Sequence, residues 1–272
     1  MERNNEFSKF HPAVLLIYFV SILFIAMFTK NIWFQIILLS GGISFFVVLG
    51  LPKKILLAAL LMFLLVAFTN PIFSHEGETV LFFLNGHRIT LEAFVYGVKA
   101  GMMLSSVLIW FSNLGVTFTG EKILYIFSKV LPKTALILTM AVRLIPMYIR
   151  RGREIKDCRK TLGIANGNDT LEKLKESSRS FQTLITYALE NGVETGRSMK
   201  NRGYNGRKRS SYTIYRIRKA DTIIIMATGV ILVVVLLNHG FASYIMIAIM
   251  AFLPVVIELM EDIRWKYYRL KN

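Results

Sequence analysis

Cysteine is nearly absent from this 272-residue sequence: Cys158 stands alone. No disulfide can form within the chain, and no cysteine-rich metal site is possible. Histidine is almost as sparse. Its four copies, His11, His75, His87 and His239, are scattered near the ends of apolar blocks. His75-Glu76 lacks the second histidine of a His-Glu-x-x-His zinc helix, and no aspartate-rich pair suits magnesium and diphosphate. No Gly-x-x-x-x-Gly-Lys-Ser/Thr loop exists, so the chain itself is not expected to bind ATP. These absences argue against an intramembrane enzyme. Acidic residues are also short, 17 against 33 Lys and Arg, for a net charge of +16.

Apolar residues are plentiful. They make up 54% of the chain, mean hydropathy is +0.50, and they come in long blocks, the pattern of a chain dissolved in a bilayer. A membrane helix needs about 20 mostly apolar residues to cross roughly 30 Å of hydrocarbon. Six candidate spans follow, at about Ala13–Phe28, Ile32–Leu51, Ile55–Phe68, Leu91–Asn113, Thr222–Leu237 and Phe241–Leu259. No small-residue cleavage site follows the first block, which reads as a retained helix and not a signal peptide. Pro52-Lys53-Lys54 stops the second span, and Asn70-Pro71 is expected to end the third. Between Ser74 and Thr90, a β-prone run (Thr79 to Leu84), the hairpin signal Asn85-Gly86 and His87 to Thr90 predict a short hairpin.

Lys and Arg placement sets the orientation. Residues 150–219 hold 18 Lys and Arg against 7 Asp and Glu, a net +11. Six spans put this segment, both termini and the basic, aromatic tail Arg264 to Arg269 in the cytosol, with the hairpin outside. The expected fold is all-α and polytopic. Membrane helices 1–4 occupy 1–113, an interfacial and cytosolic segment 114–220, and helices 5–6 with the tail 221–272.

The cytosolic segment opens with an amphipathic helix, Gly120 to Leu131, closed by Pro132, with Glu121, Lys122, Ser128 and Lys129 on its polar face. Ala135 to Met147 is apolar but short, and it contains Arg143 and Pro146. It reads as a helix dipping into the cytosolic leaflet. Arg150 to Leu162 continues helically and Gly163 to Asn168 is a loop. Asp169, with Glu172, can cap the next helix. On that helix Leu171, Leu174, Phe181, Leu184, Ile185 and Ala188 form a stripe expected to pack on the preceding helix or the membrane domain. The run Gly196 to Tyr204 pairs Arg197 and Arg202 with small neighbours, among them Ser198 and Gly203. A glycine after an arginine ends a helix and leaves the guanidinium free to offer its planar fork to a partner's carboxylates. The alternative is two ordinary solvated arginines in a basic loop.

Two other classes compete. Lys99 and Arg143 are ionisable groups at membrane depth, which a self-sufficient carrier or channel would use; against that, Lys99 can snorkel and Arg143 can sit at the cytosolic leaflet. Arg207-Lys208-Arg209 with Tyr204, Tyr212 and Tyr215 has the basic and aromatic mixture of a nucleic-acid binder. Beside a membrane such a run more often anchors to anionic lipid.

The sequence resembles the transmembrane T component of energy-coupling factor transporters, the EcfT/CbiQ family. The resemblance runs from about Asn70 to Tyr204. Asn70-Pro71-Ile72-Phe73 closes the third span. Gly86, Ile89, Thr90, Glu92 and Gly97 follow a family pattern, and Leu131-Pro132 closes the amphipathic helix. Ala141 to Pro146 is similar to a Leu-Arg-Phe-Ile-Pro-like element, and Ser198 to Tyr204 to an Ala-Met-x-x-Arg-Gly-Tyr element. The resemblance implies a subunit joining two cytosolic ABC-type ATPases to a substrate-binding membrane S component for vitamin or metal-ion uptake. It implies no cofactor on this chain, ATP being bound by the partners, and no nucleic-acid partner. Two coupling helices in such proteins end in arginine motifs that dock on acidic ATPase grooves, and Arg202-Gly203 matches the second. In the first, Cys158 to Gly163, Leu162 stands where the arginine is usual. Either Arg159 or Lys160 substitutes before Gly163, or that contact is weaker.

Overall fold

The computed structural model describes residues 7–29, 31–73, 79–84, 87–163, 170–204, 215–237 and 240–271. The described residues form a 3-10 turn at Phe7–Lys9 and nine helices. These are α1 (Pro12–Phe28), α2 (Ile32–Leu49), α3 (Lys53–Phe73), α4 (Leu91–Thr117), α5 (Gly120–Val130), α6 (Pro132–Thr161), α7 (Thr170–Asn201), α8 (Lys219–Leu237) and α9 (Phe241–Lys271). A hairpin of β1 (Val80–Leu84) and β2 (His87–Thr90) precedes α4. Five helices, α2, α3, α4, α6 and α9, are long and apolar enough to cross a membrane, and α1 is a shorter apolar helix. The chain is a multi-pass membrane protein, all-α but for the hairpin.

Two compact units divide it: residues 1–123 with 215–272, and residues 124–214. In the first, local signals start and stop the helices. The His11 Nδ1 accepts from the Ala13 amide at 3.2 Å and Pro12 occupies the first turn of α1. Asn31 caps α2, accepting from the Trp33 amide at 3.3 Å. Gly50 (φ 66°) ends α2 in the left-handed region. The core is aromatic, with Phe7, Tyr18, Phe19, Phe45 and Trp110 all buried. With no water to drive helices together in lipid, close backbone approach and polar side chains hold them. Gly41 of α2 lies so near α9 that a Cβ there would come within 2.6 Å of the Ala251 Cβ. Trp110 Nε1 donates to the Leu38 carbonyl at 2.9 Å, Asn113 Nδ2 to Gly42 at 3.0 Å, and Tyr18 Oη to Met250 at 2.7 Å.

The third span departs from the expectation. Asn70-Pro71 does not end α3, which continues to Phe73 with Pro71 inside it. Pro71 withholds the amide that would bind the Ala67 carbonyl. Gly97 of α4 brings its backbone against that same carbonyl; a Cβ on Gly97 would lie 3.0 Å from it. Only a glycine lets α4 pass this close to the α3 backbone. The hairpin pairs antiparallel as expected, Leu84 with His87 and Phe83 with Arg88. Its Asn85-Gly86 turn lies outside the described residues, as do the Asp169 cap, the 164–168 loop, Arg207-Lys208-Arg209 and Tyr212.

In the second unit, the apolar block 135–147 and the basic stretch after it are one uninterrupted helix, α6, of 30 residues. The reading of the block as too short to cross gives way to a helix of sufficient length, although α6 is the least apolar of the five candidates. The α7 stripe divides. Leu184 meets α6, 3.6 Å from where a Gly152 Cβ would stand, whereas Leu171, Leu174, Phe181 and Ile185 are exposed. Only a narrow face of α7 meets α6, and the rest of the stripe lies off that face.

Candidate functional site

α6 and α7 form an antiparallel pair. The Tyr148 and Tyr187 rings meet edge-on, with centroids 6.4 Å apart. The Arg151 guanidinium lies 4.8 Å over the Tyr187 ring and also binds Glu154 at 2.9 Å. Eight residues beyond Arg151, Arg159 reaches Glu176 of α7 through two nitrogens, the Nη2 to Oε2 contact being 3.2 Å. This bidentate grip holds the Glu176 carboxyl below its usual range. Arg159, a sequence candidate for partner docking, is thus half-buried in a contact between the two helices.

Both helices end alike. Leu162 donates its amide to Cys158 at 3.0 Å and Gly163 to Lys160 at 3.1 Å, with Gly163 at φ 73°. Arg202 donates to Ser198 at 3.1 Å, Gly203 to Lys200 at 3.0 Å and Tyr204 to Met199 at 3.1 Å, with Gly203 at φ 76°. A left-handed glycine satisfies the last carbonyls and stops each helix. The residue just before it is exposed in both, Leu162 after α6 and Arg202 after α7. Because the helices run antiparallel, these caps lie toward opposite ends of the pair. From Glu176 to Asn201, α7 extends about 38 Å at 1.5 Å per residue.

Arg197 and Ser198 lie on the last turns of α7 and are exposed, as is Lys160 at the end of α6. Arg143 and Pro146 are exposed in the first half of α6. Lys99 is half-buried on α4, and no described carboxylate pairs with it. The structure therefore places the residues near each cap together, and keeps Arg143, Pro146 and Lys99 apart from them along the chain. Among the described residues, no group of three or more His, Cys, Asp or Glu could hold a metal ion.

Two residues escaped the sequence reading. Glu176 gave no signal beyond its place in a charged helix. Lys122 was put on the polar face of α5, yet only 4% of it is exposed. Its ammonium donates to the Ser8 carbonyl (2.6 Å), the Ser8 hydroxyl (2.7 Å) and the Thr117 carbonyl (2.7 Å). Three oxygens in place of water explain how a charge on a presumed solvent face is buried.

The elements shared with the T-component pattern acquire physical roles. The Thr90 hydroxyl caps α4, accepting from Ala93 at 3.4 Å. The Thr79 hydroxyl donates to the Glu92 carboxylate at 2.7 Å, tying the hairpin to α4. Gly97 permits the close approach of α4 to the Ala67 carbonyl of α3. No curated protein matches the chain significantly. The CbiQ family model, described as a cobalt transport protein, matches residues 4–213, more than three quarters of the sequence. This protein belongs to the CbiQ cobalt transport protein family.

Proposed function

We propose that this chain is the coupling subunit of an energy-coupling factor importer, carrying motion from two ABC-type ATPases to a separate substrate-binding membrane subunit. The observation that carries the reading is the end of α7. Arg202 is exposed, and Gly203 turns the chain away immediately after it. A guanidinium so placed offers its fork without obstruction to a carboxylate pair on a partner. The antiparallel pairing of α6 and α7 adds a second argument. It sends two similar caps to opposite ends of one stiff element, the arrangement that two motors side by side require. At the α6 end, Arg159 is engaged with Glu176, so Lys160 is the exposed cation that stands in for an arginine there.

In this reading the chain performs no chemistry. ATP binding closes the motors, the caps move with them, and α6 and α7 carry the displacement to the membrane helices. The concentration of positive charge in 150–219 supports a cytosolic position for that segment, and for both termini, in the inner membrane. The family description supports cobalt ions as cargo.

The test is co-purification from native membranes with identification of the bound chains, followed by reconstitution. Two ATPase subunits and one further membrane subunit are expected, with uptake only in their presence. ATP-independent cobalt uptake by the chain alone in liposomes would replace this reading with a self-sufficient carrier.

A further inference from the structure

A groove of about 710 Å³ runs along the first unit between α2, α3 and α4. Its walls include Ile43, Leu60, Phe63 and Met102, and Lys53 and Lys54 stand at one end. Besides these lysines, Ser105 is the one polar residue in the lining. Its hydroxyl proton is donated to the Ala59 carbonyl at 2.8 Å. The interior thus offers no free side-chain donor to a polar occupant.

Dimensions and charge identify what fits. Lys53 starts α3 and Phe63 lies ten residues further on, about 15 Å along a helix. That is half of the roughly 30 Å hydrocarbon thickness, the depth of one leaflet. Both lysines are exposed, and neither pairs with a described carboxylate. Two adjacent ammonium groups at the mouth of an acyl-length apolar slot complement a negatively charged headgroup with its tail below. We propose that this groove is a binding site for one anionic phospholipid, its phosphate at Lys53 and Lys54 and an acyl chain along α3 toward Phe63 and Met102. None of its residues belongs to α6 or α7, so the lipid measurement does not depend on the ATPase-docking reading.

Native mass spectrometry of the full chain in mild detergent tests this, with phosphatidylglycerol and phosphatidylcholine of identical acyl chains added in equal amounts. One phosphatidylglycerol should be retained, with about thirtyfold preference, as two surface lysines at about 1 kcal/mol each warrant. Lys53→Gln with Lys54→Gln should erase the preference. Leu60→Trp, an exposed position that the indole would use to fill the slot, should abolish retention of both lipids. Inorganic phosphate should not compete. Equal retention of the two lipids by the wild type would overturn the proposal. So would an undiminished preference in the lysine variant, wild-type retention by Leu60→Trp, or displacement by inorganic phosphate, which would mark a free-anion site.

Discussion

Lys122 and Ser8, 114 positions apart in sequence, are joined by two hydrogen bonds from one ammonium, 2.6 Å to the carbonyl and 2.7 Å to the hydroxyl. The contact pins the turn before α1 to the start of α5. Burial pushes the Lys122 ammonium down to about 8 from the ordinary 10.5. The folded chain therefore releases this proton earlier than the unfolded chain does. Between pH 8 and 10.5 unfolding takes up a proton, so raising the pH through that window adds stability. Thermal unfolding in detergent should show wild type gaining on Lys122→Met from pH 8 upward. Parallel Tm curves for the two proteins would refute the burial of that charge.

Gly41 sets the spacing of α2 and α9. A Cβ at this position would meet the Ala251 Cβ at 2.6 Å and its carbonyl oxygen at 2.9 Å. Backbone cannot yield as a flexible side chain can, so Gly41→Ala is expected to cost about 1–3 kcal/mol. Ala251→Gly removes one of the two obstacles and should recover part of the loss. A double-mutant cycle of unfolding free energies checks both the loss and its recovery. Purely additive effects would mean that the two positions do not touch.

The α2, α3, α4 and α9 spans, the hairpin strands and the glycine ending α7 were legible because each has a local cause: an apolar block, a β-prone pair of runs, a glycine after the last turn. α3 was cut short because the local rule for Pro71 weighs one missing amide, while the packing of α4 against this stretch, at Gly97, comes from another helix. Lys122 was misplaced for a similar reason. Its oxygens come from Ser8 and Thr117, and helical periodicity carries no information about a residue 114 positions away. Arg202-Gly203 was readable as a cap followed by an open guanidinium. Arg159 was ambiguous because its competitor, Glu176, becomes a neighbour only when α6 and α7 fold back on each other.

That fold-back makes the Arg159–Glu176 pair a tie between the helices, and a tie can be reversed in sign. Arg159→Glu alone places two carboxylates together and should loosen the pair and lower uptake. Adding Glu176→Arg restores opposite charges and should recover most of the activity. If Arg159 instead docks directly on an ATPase, the double variant will stay as inactive as the single one.

Cys158 is exposed one residue before Arg159 and is the only thiol in the chain. It reports on the α6 cap without any engineering. Maleimide should label it readily in the isolated chain and several-fold more slowly once the ATPases are bound. Unchanged labelling in the assembled complex would move the docking surface away from this end.

The sharpest test lies at the two caps. A guanidinium that docks in a desolvated carboxylate groove costs about 2–5 kcal/mol when truncated, most of it from the charge left unpaired. Arg202→Ala should therefore weaken ATPase retention at least tenfold and lower uptake sharply, with membrane insertion unchanged. Arg202→Lys keeps the charge and loses the fork, so it should fall between. Gly203→Ala leaves the arginine in place but asks an L side chain to hold φ 76°, a strain of about 1–2 kcal/mol that should shift the cap. At the other end the sign reverses. Leu162 occupies the position equivalent to Arg202 before Gly163, so Leu162→Arg supplies a guanidinium directly before the glycine and should tighten ATPase retention. Measured together in one pull-down series, loss at Arg202 and gain at Leu162 would fix both caps as docking points. Wild-type retention by Arg202→Ala would remove Arg202 from that role, whatever Leu162→Arg did.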